Sequence, residues 1–151
     1  MMPAGDLGYF EIGIYQPCRM ENIGTLWRSA WQLGAAGIFT IGKIQRRQGS
    51  DVLHTEYRIP YRMYETLEDF FAARPQGAEI IGIEMGGIPL RTFVHPKCAV
   101  YLLGSEANGL SKSALALCSQ VVEIESIHYP SYNVAVSGSI VMYHRFASML
   151  K

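Results

Sequence analysis

A short polar turn at residues 104–111, GSEANGLS, has the residue types in this chain that are best suited to chemistry. One carboxylate, Glu106, lies between Gly104 and Gly109, and Ser105 precedes it. Glycine lets the backbone approach a ligand closely, and the N–H groups of such a turn can then face that ligand. A plain connection between a strand and a helix has a similar composition, so the turn alone leaves ligand binding and simple chain reversal equally open.

Two asparagines and an arginine lie near the beginnings of two apolar segments elsewhere in the chain. Asn22 and Asn133 each precede a segment with helical spacing, which is where an N-cap residue belongs. Arg28 follows Asn22 by six residues, away from the main apolar stripe, and such an arginine is most often solvated. The residues alone therefore predict two helix caps and one surface cation.

The elements that must position these residues can be read from the apolar pattern. Strands are expected at residues 9–15, 37–42, 79–84, 99–103 and 120–124, and helices at residues 23–34, 64–73, 112–117 and 134–150. This alternation predicts an α/β fold, a mainly parallel sheet with helices on both faces, in a single domain spanning residues 1–151. Residues 85–90 contain Gly-Gly and a proline and are expected to form a loop. The last helix is apolar on nearly all sides, with a small face at Gly138, which predicts burial against the sheet or a second copy of the chain.

Three of the predicted strands end in loops that suit a ligand. These strands end at Glu84, Gly104 and Ile124, and the loops that follow are rich in Gly, Ser and Pro. Ligands of open α/β sheets bind at the carboxyl ends of the strands. We therefore expect a cofactor held by the backbone groups of several loops.

Composition narrows the class of protein. The chain has 151 residues, of which 49% are hydrophobic and 17% charged, and its formal net charge is +0, so bulk charge gives no argument for nucleic acid binding. No apolar run is long enough to span a membrane, and the first residues show no signal peptide pattern. The three cysteines, which are far apart, lack the spacing of a zinc site, and we expect no metal and a cytoplasmic protein with reduced thiols.

Basic residues and tyrosines alternate between residues 43 and 64. Basic side chains contact phosphates, and aromatic rings can stack on unpaired bases. A solvated surface loop, diluted by Asp51 and Glu56, is the plainer interpretation of the same segment.

Three segments, taken in order, resemble the motifs of the SpoU (TrmH-like) branch of the SPOUT RNA methyltransferases. Residues 22–30, NIGTLWRSA, resemble the first motif, in which an Asn and an Arg six residues apart border the active site. Residues 103–110, LGSEANGL, resemble the second motif, and residues 127–137, IHYPSYNVAVS, resemble the third motif with its Ser-x-Asn-Val loop and final helix. The order and spacing of the segments fit the branch over nearly the whole chain.

This resemblance implies properties that composition and periodicity do not. It implies a deep trefoil knot in the C-terminal part of the fold, S-adenosylmethionine bound in a bent form within the knotted loops, and a homodimer whose active site is shared between subunits. The implied reaction is methyl transfer to a ribose 2′-hydroxyl of an RNA, tRNA rather than rRNA.

The resemblance also assigns roles to individual residues. Arg28 matches the arginine held to activate the hydroxyl, and the other implied catalytic residues are Asn22, Glu106, Ser131 and Asn133. The positions implied to bind the methyl donor are Ile83, Glu84, Leu103, Gly104, Ser105, Glu106, Gly109, Ile124, Ser131 and Asn133.

The chain departs from the branch mainly in the third motif. Glu125-Ser126 stands where Pro-Met is usual, His128-Tyr129 where small residues are usual, and Tyr132 where Leu is usual. These departures bear on substrate choice. The chain most resembles the minimal single-domain, TrmL-like enzymes of the branch, which act on the wobble ribose of tRNA.

Two other functions stay open from the sequence. The Gly-x-Glu-x-x-Gly turn is not the Gly-x-Gly-x-x-Gly dinucleotide fingerprint and comes late in the chain, which disfavours a nucleotide-binding α/β module. A catalytically inactive RNA-binding homologue is the second alternative, and the intact motif residues argue against it.

Overall fold

One parallel sheet organises the structure, a computed structural model that describes residues 6–43 and 59–150. Its strands are β1 (Tyr9–Tyr15), β2 (Gly37–Ile41), β3 (Tyr61–Tyr64), β4 (Glu79–Pro89), β5 (Cys98–Leu103) and β6 (Gln120–Glu123). The helices of the described residues are α1 (Met20–Gln32), α2 (Leu67–Ala73), α3 (Lys112–Leu117) and α4 (Val134–Met149), with a 3-10 turn at Leu90–Thr92. The six strands lie in the order β3-β2-β1-β5-β4-β6, and every strand pair is parallel. The predicted α/β fold with a parallel sheet is confirmed.

The sheet separates two apolar cores, because side chains point to alternate faces along each strand. Tyr101 and Leu103 of β5 belong to the core that the sheet forms with α1 and α4. Val100 and Leu102 belong to the opposite core, which includes Phe70 of α2 together with residues of α3. Helices therefore cover both faces of the sheet, as predicted.

Helices α1 and α4 pack closely because α4 has a glycine where they meet. A Cβ atom on Gly138 would lie 2.4 Å from Leu26 Cδ1 and 3.1 Å from Leu103 Cδ1. Beside this contact, the Ser139 hydroxyl of α4 donates a hydrogen bond to the Ser29 hydroxyl of α1 at 3.0 Å. The small face predicted for the last helix is thus the face that contacts α1 and the sheet.

The other side of α4 is exposed in the single chain, so the predicted burial of this side against a second copy stays a prediction. Val136 and Tyr143 are 45% and 60% exposed in the single chain. With Tyr132 and Ile140 they line a groove beside Thr25 of α1. An apolar stripe of α4 therefore has no cover within the described chain.

Two elements differ from the prediction in the middle of the chain. Residues 61–64 were expected to lie in a basic loop and the start of a helix, but they form β3, which extends the sheet beside β2. Helix α2 begins only at Leu67, because the Thr66 hydroxyl caps it by accepting a hydrogen bond from the Asp69 N–H at 3.1 Å. Most of the predicted basic patch, residues 44–58, lies outside the described residues.

The predicted loop at residues 85–90 is also wrong in part. Strand β4 continues through the two glycines to Pro89, with a shift of register against β6 between Ile83 and Ile88. A Cβ atom on Gly87 would lie 2.5 Å from the carbonyl oxygen of Val121. The second glycine is therefore needed so that two backbones can come close, rather than for a free loop.

The strand order places a topological switch point between β1 and β5. Strands β2 and β3 lie on one side of β1, and strands β5, β4 and β6 lie on its other side. Loops leaving the carboxyl ends of β1 and β5 therefore diverge over the crevice where ligands of open α/β sheets bind. The GSEANGLS turn follows β5, and residues 16–19 follow β1.

A buried polar network ties α4 to the opposite end of the sheet. Arg145 is 1% exposed, and its guanidinium donates hydrogen bonds to the carbonyl oxygens of Leu7, Pro96 and Lys97 and to the Tyr101 hydroxyl. His95 Nδ1 lies 2.6 Å from the same hydroxyl. Carbonyl dipoles thus satisfy most of a buried cation, although Arg145 Nε has no partner among the described residues.

In the described part of the chain, no helix is long and apolar enough to cross a membrane. The same residues contain no group of three or more His, Cys, Asp or Glu side chains arranged to hold a metal ion. The trefoil knot and the single-domain organisation stay predictions.

Candidate active site

A cavity of about 610 Å³, counting its open mouth, lies at the carboxyl ends of β5 and β6, beside the middle of β4. Three segments enclose it: residues 83–85 of β4, where its register shift begins, the turn after β5, and the segment from β6 into α4. The lining residues are Ile83, Glu84, Met85, Leu103, Gly104, Ser105, Glu106, Gly109, Glu123, Ile124, Pro130, Ser131, Tyr132, Val134 and Ser137.

Nearly all residues that the sequence assigned to the methyl donor lie around this cavity. Every position named for donor binding contributes to the lining except Asn133. The structure therefore brings together residues that are far apart in the chain. That they bind the donor stays a prediction.

The turn after β5 has a fixed shape. The Gly109 N–H donates to the Ser105 carbonyl at 3.0 Å, and the Ser105 N–H donates to the Gly109 carbonyl at 3.3 Å. A Cβ atom on Gly104 would lie 2.4 Å from the Gly109 carbonyl carbon, so only glycine allows the two backbones to meet here. Gly109 itself has a φ of +64° and lies against the Glu84 carboxylate.

Two glutamates at the cavity hold neighbouring loops by their backbone. Glu84 accepts hydrogen bonds from the N–H groups of Met85 and Leu110, both at 2.9 Å. Glu123 accepts from the Gly86 N–H at 3.3 Å. The carboxylates thus set the loop geometry while adding negative charge to the lining.

Three side chains from different motifs form a hydrogen-bonded chain beside the cavity. Asn133 Oδ1 accepts from the N–H groups of Ala135 and Val136, which caps α4 as predicted. Its amide nitrogen donates to Asn22 Oδ1 at 3.0 Å. The Asn22 amide nitrogen in turn donates to Glu106 Oε1.

The backbone of α4 fixes the direction of this chain. Because Asn133 must present its oxygen to two N–H groups, its nitrogen must face Asn22. Asn22 must then accept from Asn133 and donate to Glu106, and a carboxylate can only accept. Glu106 Oε2 also accepts from the Cys18 N–H at 3.3 Å, so Glu106 joins the β1 and β5 loops at the switch point.

The predicted cap role of Asn22 is therefore wrong. Helix α1 begins at Met20, three residues before the predicted start at Ile23, and its N-cap Arg19 makes no side-chain cap hydrogen bond. Asn22 is a buried residue inside the first turn of the helix. Its side chain connects the first motif with the second and third instead of satisfying its own helix.

The Cys18 thiol is exposed beside Glu106. Desolvation, the hydrogen bond to Glu106 and the charge of Glu106 raise the pKa of this thiol above its ordinary value. A thiol with a raised pKa stays protonated near neutral pH, which argues against nucleophilic catalysis by Cys18.

The model of the SpoU rRNA methylase family matches residues 9–143. The chain belongs to this family. The match includes all three motif segments. No curated protein sequence matches the chain.

Solved structures agree with this fold. A structure described as giving insights into the 2-OH methylation of C/U34 on tRNA has a TM-score of 0.85 and 22% identity, over 95% of this chain and 98% of its own. The SpoU methyltransferase AviRb from Streptomyces viridochromogenes, in complex with AdoMet, has a TM-score of 0.83 and 22% identity, over 99% of this chain and 64% of its own. An AdoMet-bound rRNA methyltransferase from Sinorhizobium meliloti has a TM-score of 0.82 and 22% identity, over 95% of this chain and 58% of its own. The chain thus spans less than two thirds of the last two proteins.

Arg28 is the motif residue that the fold does not bring to the cavity of its own chain. It is exposed on α1 and makes no hydrogen bond or ion pair with the described residues. Six helical residues turn the chain by about 240°, so Arg28 projects away from the side on which Asn22 contacts Glu106. If Arg28 takes part in the SpoU reaction, the site that it serves must lie outside the cavity of its own chain.

Some lining residues were not identified from the sequence. They are Met85, Glu123, Pro130, Tyr132, Val134 and Ser137. Each of them lies within a few residues of a predicted site residue. A prediction that whole short segments line the cavity, rather than single residues, would therefore have included most of them. Ser137 lines the cavity because α4 begins at the cavity with Val134, about one helical turn before Ser137.

Proposed function

We propose that this SpoU-family chain is an S-adenosylmethionine-dependent methyltransferase that modifies a ribose 2′-hydroxyl of tRNA, in the cytoplasm. The observation that carries the proposal is the hydrogen-bonded link between all three family motifs, through Glu106, Asn22 and Asn133, beside a cavity that the second and third motifs line. A nucleotide-binding module would not require this polar chain. Three unpaired cysteines support a reducing compartment.

The cavity residues fit S-adenosylmethionine chemically. Apolar side chains of Ile83, Leu103 and Ile124 suit a flat purine, and the carboxylates of Glu84, Glu106 and Glu123 suit a cationic donor. When bound, this donor supplies a methyl group on a sulfonium, and its loss leaves a neutral thioether. AviRb and the Sinorhizobium enzyme, which share this fold, are described with AdoMet bound.

The chain's own residues would act on the acceptor mainly by position. A ribose hydroxyl is a weak nucleophile, so accurate placement supplies much of the rate. Glu106, Asn22 and Asn133 hold the rim of the cavity rigid through hydrogen bonds whose directions are fixed. Ser131 lies at the same rim and can donate to or accept from the ribose.

Arg28 would contribute charge from a second copy of the chain. A guanidinium stays protonated in proteins, so its role is to bind phosphate and to favour the developing alkoxide. Because Arg28 points away from its own cavity, we propose a homodimer in which each Arg28 serves the other subunit. The uncovered apolar groove between α1 and α4, lined by Val136, Ile140 and Tyr143, supports burial against a second copy.

The choice of tRNA over rRNA is supported by the extent of the structural match. The protein described with C/U34 methylation on tRNA is matched over nearly its whole length, whereas the two proteins described with AdoMet carry further chain. The structural relative whose description refers to tRNA thus matches this chain over nearly all of both chains.

Methyl transfer from labelled S-adenosylmethionine tests the proposal directly. Total tRNA and rRNA, each from cells that lack this gene, are incubated separately with the purified protein. We expect label in tRNA, recovered as alkali-resistant 2′-O-methylated dinucleotide. The Phe71→Ala variant, which alters an exposed ring on α2 away from the cavity, should retain this activity and serves as the control.

Two results would contradict the proposal. Label only in rRNA would overturn the substrate class while leaving the reaction. No label in either RNA, with tight RNA binding and measurable S-adenosylmethionine binding, would favour the catalytically inactive homologue.

A further inference from the structure

The loop between β6 and α4 holds three large side chains out of the protein. Ile127 is 94% exposed, Tyr129 is 74% exposed, and His128 between them is exposed as well. The side chains of Tyr129 and His128 make no hydrogen bond with the described residues. Nothing in the described fold of the single chain accounts for this run of exposed side chains.

Hydrogen bonds nevertheless fix the shape of this loop. The Ser126 hydroxyl donates to the Tyr129 carbonyl at 2.7 Å, and the Tyr132 hydroxyl donates to the Glu125 carbonyl at 2.7 Å. The Glu125 carboxylate also pairs with Arg91 Nε at 3.1 Å, which ties the loop to the 3-10 turn. The Tyr129 ring is therefore presented by a braced backbone, and little conformational entropy would be lost when a partner binds it.

The loop also forms one wall of the candidate active site. Pro130, Ser131 and Tyr132 line the cavity, while Ile127, His128 and Tyr129 line a second, open pocket on the outer face of the loop, which shares Tyr132 with the cavity. Tyr129 is joined directly to the wall through Pro130. An acceptor ribose at the cavity mouth would place its own base, or a neighbouring base, over this outer face.

We propose that Tyr129 is a stacking platform for an unpaired nucleobase of the substrate RNA, next to the ribose that is methylated. This inference rests on the proposed function and names a residue that positions its substrate. Proteins recognise single-stranded RNA loops by splaying bases out onto aromatic rings, which replaces the stacking that the base has lost. Any base has a π face, so such a platform selects unpaired RNA rather than a particular sequence.

The experiment compares Tyr129→Ala, Tyr129→Phe and Tyr129→Leu with wild type. With the RNA pool that accepts methyl groups, we expect Tyr129→Ala to raise KM for RNA about tenfold, as for the loss of one stacked base. The kcat value and the affinity for S-adenosylmethionine should stay unchanged. Tyr129→Phe should behave as wild type, whereas Tyr129→Leu should behave as Tyr129→Ala, because an aliphatic side chain keeps apolar area but has no π face.

A short single-stranded RNA with one 2-aminopurine provides a readout that does not require catalysis. Stacking on the ring at position 129 should quench the fluorescence of 2-aminopurine when the RNA binds wild type or Tyr129→Phe, but not when it binds Tyr129→Leu. Phe71→Ala is the matched control, since it removes an exposed ring on α2. This arm separates the two proposals: quenching without methyl transfer would contradict the proposed function and still support the platform.

Three results would overturn the inference. An unchanged KM and unchanged quenching in Tyr129→Ala would show that the ring does not bind RNA. Equal behaviour of Tyr129→Leu and wild type would show that apolar area, not stacking, matters. A change in sedimentation of Tyr129→Ala with unchanged RNA affinity would assign the loop to contact between two copies of the chain.

Discussion

The hydrogen bonds that link Glu106, Asn22 and Asn133 can run in only one donor-to-acceptor direction. Two backbone N–H groups of α4 fix the Asn133 oxygen, and each later partner then has one possible orientation. Glu106 must accept twice, from Asn22 and from the Cys18 N–H. Asn22 is the buried member, whereas Glu106 and Asn133 are exposed, so the demand on residue type is sharpest at Asn22.

We predict that Asn22→Asp and Glu106→Gln each destabilise the protein but compensate each other. Asn22→Asp sets two carboxylates against each other at a buried position, so it should cost about 1–3 kcal/mol. Glu106→Gln leaves an amide nitrogen facing a donor at an exposed position, so it should cost less. In the double variant, the Gln oxygen accepts from the Cys18 N–H and its nitrogen donates to the new Asp. Urea unfolding of all four proteins should give a favourable coupling of at least about 1 kcal/mol.

The Asn22→Asp variant carries an internal check. Repulsion from Glu106 raises the pKa of one of the two carboxyls in the folded state, so acidification relieves the repulsion. Its deficit relative to wild type should shrink as pH falls from neutral toward this raised pKa. Asn22→Ala, which adds no charge, should show a deficit that varies less with pH, and equal pH dependence of both variants would refute the assignment.

At the scale of elements, the approach of α1 to α4 determines where the first and third motifs meet. The contact depends on Gly138, an unusual residue in a helix interior because it costs about 1 kcal/mol relative to alanine. Its lack of a Cβ lets Leu26 and Leu103 fill the space between helix and sheet. Moving α4 outward would separate Asn133 from Asn22.

We predict that Gly138→Ala destabilises the protein despite its better helix propensity. The new Cβ would lie 2.4 Å from Leu26 Cδ1, and the buried Leu26 has little room to move. Overpacking costs about 1–3 kcal/mol, which exceeds the gain in propensity. Thermal or urea unfolding should show a net loss, and Gly138→Ala combined with Leu26→Ala should lose less than the sum of the two single variants. A stabilised Gly138→Ala would mean that the helices separate freely.

The structural elements were predictable to different degrees. Strand β5 was clear because it is apolar throughout and buried on both faces. Strand β3, with Arg62 and Met63 exposed at the sheet edge, has no apolar alternation to identify it. Strand β4 runs through Gly-Gly and Pro89, residues that ordinarily end a strand, because its second half is fixed by contact with β6.

At the scale of the whole molecule, a buried network connects the ends of the chain. His95 is 7% exposed, between the Tyr101 hydroxyl and His144 Nδ1, which lies 2.8 Å from His95 Nε2. Burial, and then the charges of His144 and Arg145, lower the pKa of His95 from 6.5 to about 3. His95 is therefore neutral in the folded protein over the physiological range.

This shift predicts acid sensitivity with a definite sign. Between about pH 6.5 and pH 3 the unfolded chain binds a proton at His95 that the folded protein does not. The free energy of unfolding should therefore fall as pH is lowered through this window, by up to about 1.4 kcal/mol per pH unit. Urea unfolding near pH 7 and near pH 5 should show a smaller pH dependence for His95→Gln than for wild type. An equal dependence would mean that His95 titrates alike in both states.

The sequence by itself determined the class of fold and the family, because these depend on local periodicity and on motifs that lie within short segments. Tertiary structure alone decided which contacts the motif residues make. Asn22 was expected to cap a helix and instead links three motifs, since its partners lie 84 and 111 residues away in the chain. The direction of that link comes from the backbone of α4, and the exposure of Arg28 comes from the angle at which α1 packs. Such properties depend on the relative placement of distant elements, which no single stretch of sequence specifies.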